Sequence, residues 1–206
     1  MRAEIEPDYL QPYLAAARRH GDGFGSLLWA SPQTQAARFD AITRLCDLQG
    51  RSILDAGCGR ADLLDHLLSR KIIPEHYTGL EAVDELAAAA ERKQHPNRLI
   101  VRADFVMEPA RLLTAADVVI FSGSLNTLES EAFYGALRTA HAAAVEAVVF
   151  NFLCSPRLAG AAYLHWRQTD AVRQFAVELD AEIVLLDDYL DGDCTVCLTK
   201  KGIGHP

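Results

Sequence analysis

The sequence predicts an α/β protein built on a mostly parallel β-sheet with helices on both faces. From residue 52 onward, short apolar segments typical of strands alternate with amphipathic segments of helical period. The first strand runs through "DAGCG" directly into a helix, which is the strand–turn–helix unit of such sheets. The last two strands are separated only by "LDGD", which is too short for a crossover helix, so we expect them to pair antiparallel.

Two amphipathic helices precede the sheet, over "PDYLQPYLAAARR" and "SPQTQAARFDAITRLCDL". Ser31 is a suitable N-cap for the second helix, and Pro32 occupies its first position. The loop between them, "HGDGFGSLLWA", combines three hinge-permitting glycines with two aromatic residues that can cover a ligand. We expect residues 1–49 to form a helical lid on a 50–200 core within one domain; the alternative is simple packing at the sheet edge.

The core elements follow in an order that matches this fold. Strand "SILDA", helix "ADLLDHLLSR", strand "HYTGLE", helix "AVDELAAAAERK" and strand "RLIVRAD" come first. Strand "ADVVIFSG", helix "ESEAFYGALRTAHAAA", strand "EAVVFNFL", a helix about "YLHWRQTDAVRQFAVEL", and strands "AEIVLLDDY" and "CTVCLTK" complete the chain. In such sheets, ligands bind beyond the carboxyl ends of the parallel strands.

Composition narrows the class of protein. The 206 residues are 50% apolar and 23% charged, which is typical of one globular domain. The sequence has no run of about 18 apolar residues and no apolar segment behind a basic start, so we expect a soluble, cytoplasmic protein without membrane contact. A net charge of −8 disfavours nucleic-acid partners. The five scattered cysteines, including the CxxC of Cys194 and Cys197 on a strand, predict reduced thiols and no metal site.

The glycine-rich turn indicates the kind of ligand. Gly57 and Gly59 let a ligand approach the backbone and the free N–H groups of the following helix. A dinucleotide-binding loop requires Gly or Ala three residues after the second glycine, where this chain has Asp62. Asp55 suits a ligand with an ammonium or sulfonium group better than a pyrophosphate. S-adenosylmethionine (SAM) is such a ligand.

Two further acids follow the next strands. Glu81 ends the second strand, where it can accept both ribose hydroxyls, and Asp104 follows the third, where it can accept from the exocyclic amine of adenine. Phe105 or Val106 can then cover the adenine ring. Taken singly, each acid is more often a helix cap or a solvated charge, but the three together favour one ligand.

The segments "ILDAGCGRAD", "YTGLE" and "RADFV", in this order and spacing, resemble motifs of the class I SAM-dependent methyltransferases. The resemblance covers residues 50 to 200 and implies a Rossmann-like three-layer sandwich whose seven-stranded sheet has its last strand antiparallel. Many members carry a third glycine where this chain has Ala61. The resemblance implies SAM as the cofactor, bound by Asp55, Gly57, Cys58, Gly59, Glu81, Ala82, Asp104, Phe105 and Ser122.

The segment "FSGSLNTL", after the fourth strand, should face the transferred methyl group. It lacks the Asn/Asp-Pro-Pro-aromatic tetrapeptide of family members that methylate amino groups of nucleic acid and protein, and the Pro-Cys of cytosine C5 enzymes. We therefore expect a small-molecule acceptor, with Ser122 and Asn126 as the catalytic candidates. Residues 124–127 could equally form a capped loop.

Other polar and aromatic side chains remain candidates for the acceptor side. Asn151 and Cys154 should lie on the same rim. His20 and His165 are candidate bases because histidine is a residue type that can serve in this role. Trp29 and Tyr189 could line an acceptor cavity. Asp187 and Asp188 are expected on a strand, facing opposite sides, which disfavours a metal site.

Other functions remain open on the same fold. The chain could bind SAM as a regulatory or partner protein without turnover. An NAD-dependent oxidoreductase is disfavoured by Asp62 and by the position of Asp55. Transfer of an aminopropyl group from the decarboxylated cofactor is a further possibility.

Overall fold

The structure is a computed structural model that describes residues 6–202. Its sheet has seven strands: β1 (Ser52–Ala56), β2 (His76–Glu81), β3 (Arg98–Arg102), β4 (Val118–Phe121), β5 (Ala147–Leu153), β6 (Ala181–Leu186) and β7 (Asp193–Lys200). The strand order is β3-β2-β1-β4-β5-β7-β6. β7 runs antiparallel to β5 and β6, and the remaining pairs are parallel, as the sequence predicted.

Among the described residues, six α-helices accompany the sheet: α1 (Gln11–His20), α2 (Pro32–Leu45), α3 (Asp62–Ser69), α4 (Asp84–Arg92), α5 (Ser130–Ala143) and α6 (Thr169–Glu178). Apolar side chains of α2, α3 and α4 pack on one face of the sheet, and those of α5 and α6 pack on the other. The protein is therefore a three-layer sandwich. Within residues 6–202, no helix is long and apolar enough to cross a membrane.

The residues at the N-caps of α2 and α3 have the hydrogen bonds or backbone conformation that begin each helix. Ser31 Oγ accepts from the Thr34 amide, and Thr34 Oγ1 accepts from the Ser31 amide, both at 3.1 Å. This capping box confirms the predicted start of α2. Ala61, at the N-cap of α3, has a left-handed backbone with φ of 57°, a conformation that glycine adopts more readily than other residues.

The amino-terminal segment packs above the carboxyl ends of the strands. A short 3₁₀-helix spans Phe24–Leu27 within the predicted glycine-rich loop. Ala17 and Leu27 form a small apolar cluster with Val83 and Leu86 at the start of α4. This cluster places α1 and the loop beside the carboxyl end of β2.

Three predictions about the last third of the chain can be compared with the structure. The predicted helix over residues 163–179 begins only at Thr169, because Trp166 pairs with Leu153 and the Arg167 amide donates to the Leu153 carbonyl at 2.9 Å. Asp187 and Asp188 do not lie on a strand, since β6 ends at Leu186. Cys194 and Cys197 lie on a strand, β7, as predicted, and they face opposite sides of the sheet, Cys194 toward α5 and α6 and Cys197 toward α2 and α3.

Candidate functional site

A cavity of about 280 Å³ lies at the carboxyl ends of the central strands. It is enclosed mainly by the turns after β1, β2, β3 and β4 and by the amino-terminal segment. Every residue that the sequence analysis assigned to the cofactor lines it, and so does the catalytic candidate Asn126. These lining residues are Asp55, Gly57, Cys58, Gly59, Glu81, Ala82, Asp104, Phe105, Ser122 and Asn126.

The turn after β1 requires both glycines. Gly57 and Gly59 have left-handed backbones with φ of 78° and 56°. A β-carbon on Gly57 would lie 2.4 Å from Ser124 Cβ, and one on Gly59 would lie 2.8 Å from a methyl carbon of Leu27. Ser124 is itself fixed, because its hydroxyl donates to the Ala56 carbonyl at 2.6 Å. No side chain larger than hydrogen fits at either glycine without displacing these neighbours.

Glu81 is buried and held by two backbone amides. Its Oε2 accepts from the Gly59 amide and its Oε1 from the Val83 amide, both at 2.8 Å. Burial raises the pKa of Glu81, while the amide hydrogen bonds oppose that rise. Each carboxylate oxygen can accept more than one hydrogen bond, so Glu81 can also accept from a ligand in the cavity.

Asp55 lines the cavity and has one side-chain oxygen without a hydrogen-bond partner among residues 6–202. The side chain is buried, and its Oδ2 accepts from the Tyr77 hydroxyl at 2.5 Å. Its Oδ1 is also buried but has no hydrogen-bond partner in the described part of the chain. Burial raises the pKa of Asp55 to about 7, although the Tyr77 hydrogen bond lowers it. A cationic ligand would satisfy this oxygen and stabilise the ionised form.

The Asp104 carboxylate is held by a backbone amide of its own loop and by a side chain of the amino-terminal segment. Its Oδ1 accepts from the Val106 amide at 2.9 Å, and its Oδ2 accepts from the Tyr9 hydroxyl at 2.6 Å. Phe105, the next residue, lines the cavity and packs edge-to-face on Phe121 with ring centroids 5.4 Å apart. The Asp104 carboxylate and the Phe105 ring therefore belong to the lining of the same cavity.

Aromatic residues of the amino-terminal segment cover the cavity. Tyr9, Tyr13 and Trp29 line it. Burial raises the pKa of Tyr13. Trp29 lies against the backbone of Gly123, where an added β-carbon would be 3.0 Å from the indole ring. Sequence reasoning missed the two tyrosines, although their spacing of four residues on a helical segment is a signal that they share a face.

A chain of polar side chains connects the cavity to a buried ion pair. The Ser122 hydroxyl lies 3.0 Å from Asn151 Oδ1, and Asn151 Nδ2 lies 2.6 Å from the Thr195 hydroxyl. Thr195 Oγ1 lies 2.6 Å from the Tyr189 hydroxyl, which contacts Asp193. Asp193 pairs with Arg38, whose Nε is 2.7 Å from Asp193 Oδ2. Arg38 lines the cavity, with its guanidinium 4.7 Å from the centre of the Trp29 ring. The sequence analysis assigned no role to Arg38, Asp193 or Thr195.

The remaining acceptor-side candidates fall into two groups. Asn126 Oδ1 accepts from the Leu153 amide at 3.3 Å, and its carbonyl accepts from the His165 amide at 2.8 Å, so it also fixes the loop. His20, Cys154, His165, Asn151 and Tyr189 are not among the residues that line the cavity. Within residues 6–202, no group of three or more His, Cys, Asp or Glu side chains could hold a metal ion.

The lining of the cavity as a whole is mainly apolar. It includes leucines from several separate segments of the chain. They are Leu28, Leu128, Leu153, Leu158, Leu164 and Leu190. Two of these, Leu158 and Leu164, come from the segment after β5, which the sequence did not assign to any substrate class.

The structure of this chain is similar to solved structures of SAM-dependent methyltransferases. No protein-family model matches the sequence, and no curated protein matches it. Magnesium protoporphyrin IX methyltransferase (ChlM) from Synechocystis PCC 6803 with bound SAM aligns with a TM-score of 0.63 at 12% identity, over 97% of this chain and 87% of ChlM. The complex of DhpI with SAM and HEP aligns with a TM-score of 0.69 at 16% identity, over 92% and 94%. The CcbJ methyltransferase from Streptomyces caelestis aligns with a TM-score of 0.63 at 14% identity, over 83% and 97%. The chain therefore has the fold of the class I SAM-dependent methyltransferases.

Proposed function

We propose that this protein transfers the methyl group of SAM to a small-molecule acceptor. The observation that carries the proposal is the position of three carboxylates, Asp55, Glu81 and Asp104, around one cavity at the ends of three successive strands. Asp55 leaves one buried oxygen without a partner, which is a cost that a positively charged ligand removes. The similarity to solved structures with bound SAM supports the same ligand.

Each carboxylate has a partner on the proposed cofactor. Asp55 would accept from its ammonium group, and Glu81 would accept from the two ribose hydroxyls while remaining fixed by the Gly59 and Val83 amides. Asp104 would accept from the adenine amine, with Phe105 against the ring. The net negative lining also favours the sulfonium charge that makes the methyl group transferable.

The residues of this chain would contribute alignment and exclusion of water. Methyl transfer from a sulfonium is an in-line displacement, so its rate depends on holding the acceptor against the methyl group. The aromatic cover of Tyr9, Tyr13 and Trp29 would keep water out of the cavity. Ser122 and Asn126 line the cavity at the end of β4 and would position the acceptor.

A small molecule is favoured over a macromolecule by the enclosure of the site. The amino-terminal segment covers one side, and Leu158 and Leu164 approach from the segment after β5. We propose that residues 1–49 act as the lid through which both ligands enter. A polymer substrate would require this cover to be displaced, whereas ChlM, with a similar fold, is named for a small-molecule acceptor.

Turnover tests the proposal and separates it from a binding-only role. The protein is incubated with methyl-labelled SAM and the fraction of a cell extract below about 1 kDa, and label is sought in new small molecules. We expect a labelled product, whose formation is strongly reduced in Glu81→Ala but not in Glu85→Ala, an exposed acid on α4. SAM binding without any labelled product would favour a regulatory role, and the absence of SAM binding would contradict the proposal.

A further inference from the structure

The polar chain behind the cavity has a fixed direction. Asp193 is completely buried and forms an ion pair with Arg38, and the carboxylate of such a pair can only accept hydrogen bonds. The Tyr189 hydroxyl, which contacts Asp193 Oδ1, must therefore donate to it. Burial and, to a smaller extent, the negative charge of Asp193 raise the pKa of Tyr189 well above its ordinary value. The Tyr189 hydroxyl therefore stays protonated and acts as a hydrogen-bond donor to Asp193.

The donor in each further hydrogen bond of the chain follows from the donor in the bond before it. Tyr189 has one hydroxyl hydrogen, which Asp193 accepts, so the Thr195 hydroxyl must donate to Tyr189. Thr195 must in turn accept from Asn151, which orients the amide with Nδ2 toward Thr195 and Oδ1 toward Ser122. The Ser122 hydroxyl must therefore donate to Asn151. Its hydrogen is committed, and only its lone pairs can face the cavity.

The orientation of the Ser122 hydroxyl determines which ligands can form a hydrogen bond with it. Ser122, directly after β4, lines the same mainly apolar cavity as Trp29, Leu128 and Leu153. In an apolar pocket, a hydroxyl that can only accept is left unsatisfied by a ligand without a donor, and this costs affinity. A ligand with an O–H or N–H group satisfies it.

We propose that the methyl acceptor is a mainly apolar small molecule that donates a hydrogen bond from an O–H or N–H group to Ser122 Oγ, and that Asn151, Thr195, Tyr189 and the Arg38–Asp193 pair are the positioning residues that impose this selection. The inference rests on the proposed function, because it assigns the acceptor end of the same cavity. An amide cannot readily pass a proton along the chain, so Ser122 orients the acceptor and does not serve as its base.

Two probes of nearly equal shape test the selection. The protein is saturated with S-adenosylhomocysteine (SAH), the demethylated product of SAM, and titrated with 2-naphthol, which donates a hydrogen bond, and with 2-fluoronaphthalene, which does not. The ratio of the two dissociation constants measures selection for a donor and cancels changes that affect both probes equally. We expect 2-naphthol to bind about tenfold more tightly.

Two variants and one matched control distinguish positioning from general stability. Thr195→Val breaks the chain, so the Asn151 amide and Ser122 hydroxyl are free to reverse, and Ser122→Ala removes the acceptor. Thr199→Val is the control, since Thr199 lies on the same strand, is completely buried, and its hydroxyl has no hydrogen-bond partner among residues 6–202. We expect the ratio to fall to about threefold or less in the first two variants and to stay near tenfold in the control.

The outcomes are separable from the proposed function, because SAH affinity is measured by calorimetry in every variant. Equal binding of the two probes to the unaltered protein would overturn the inference, as would no binding of either probe. A ratio that persists in Thr195→Val or Ser122→Ala would also overturn it. A large loss of SAH affinity in Ser122→Ala would show that Ser122 contacts the cofactor instead. Failure of the unaltered protein to bind SAH would instead contradict the proposed function itself.

Discussion

Tyr9 donates a hydrogen bond to Oδ2 of Asp104 across 2.6 Å. This contact joins the residues before α1 to the loop after β3, which are 95 positions apart in the chain. Asp104 is also held by the Val106 amide, so the rim of the cavity and the amino-terminal segment share one carboxylate. In the proposed function, this places the closure of the segment beside the adenine end of the cofactor.

The first prediction concerns that closure. Limited proteolysis should cut between His20 and Ser31, and saturating SAM should slow the cut severalfold because the ligand orders the covering segment. Tyr9→Phe removes the bond to Asp104 and should accelerate the cut severalfold in the free protein. Tyr134→Phe is the matched control, since its hydroxyl makes no hydrogen bond to any residue in the range 6–202 and it packs on Phe133 and Phe175. Equal cleavage rates with and without bound SAM would show that the amino-terminal segment only packs on the core and does not close over the cofactor.

The second prediction concerns Glu81. Glu81→Ala should weaken SAH binding by about 1.5 to 3 kcal/mol, because two ribose hydroxyls lose their buried acceptor. It should also lower the melting temperature modestly, since the Gly59 and Val83 amides lose theirs. Calorimetry and thermal unfolding measure the two effects. Glu85→Ala, on the exposed side of α4, should change neither. Unchanged SAH affinity in Glu81→Ala would limit Glu81 to a structural role.

The third prediction uses the raised pKa of Asp55, about 7 in the free protein. Asp55 must be ionised to bind an ammonium group, so protonation competes with binding below that pH. SAH affinity should therefore rise about tenfold per pH unit up to about pH 7 and level off above it. Calorimetric titrations between about pH 5.5 and 8 measure this, because the SAH ammonium stays protonated over that range.

Two controls identify the group responsible. The compound 5′-methylthioadenosine has the adenine and ribose of SAH but no ammonium, so its affinity should show no such rise. Asp55→Asn should bind SAH more weakly and remove the pH dependence. The same rise in Asp55→Asn would assign it to another group, of which Glu81, also buried with a raised pKa, is the first to test.

The fourth prediction compares two Arg–Asp pairs that both connect α2 to the carboxyl-terminal part of the chain. Asp193→Asn leaves the Arg38 charge buried without its partner and should cost about 3 to 5 kcal/mol of unfolding free energy. Asp188→Asn breaks the pair with Arg44, whose side chains are 60% and 49% exposed, and should cost less than about 1 kcal/mol. Urea unfolding measures both. Similar costs for the two variants would contradict the structural importance assigned to the buried pair.

The sequence predicted the features that local chemistry determines. Ser31 and Pro32 mark the start of α2 in the sequence, and the Ser31 side chain makes the capping bond expected of it; the reciprocal bond of Thr34 was not predicted. The proximity of the three strand-end acids could be predicted from the sequence, because parallel strands place their carboxyl ends at one edge of the sheet. The antiparallel β7 followed from the length of one turn.

Features that depend on contacts between distant residues were not predictable in this way. The pair of Arg38 and Asp193 joins positions 155 residues apart, and no local pattern marks either side chain as buried. The helix predicted from residue 163 begins late because Trp166 and Arg167 are held by Leu153, a tertiary contact that overrides helical periodicity. The orientation of Ser122 likewise depends on residues of β5 and β7.

The most direct test of SAM as the cofactor is a calorimetric titration of the purified protein with SAH and, separately, with NAD. We predict one SAH site with a dissociation constant in the micromolar range, about −7 to −8 kcal/mol, and no saturable binding of NAD at the same concentrations. The absence of heat and of any thermal shift at millimolar SAH, or tighter binding of NAD than of SAH, would contradict this prediction.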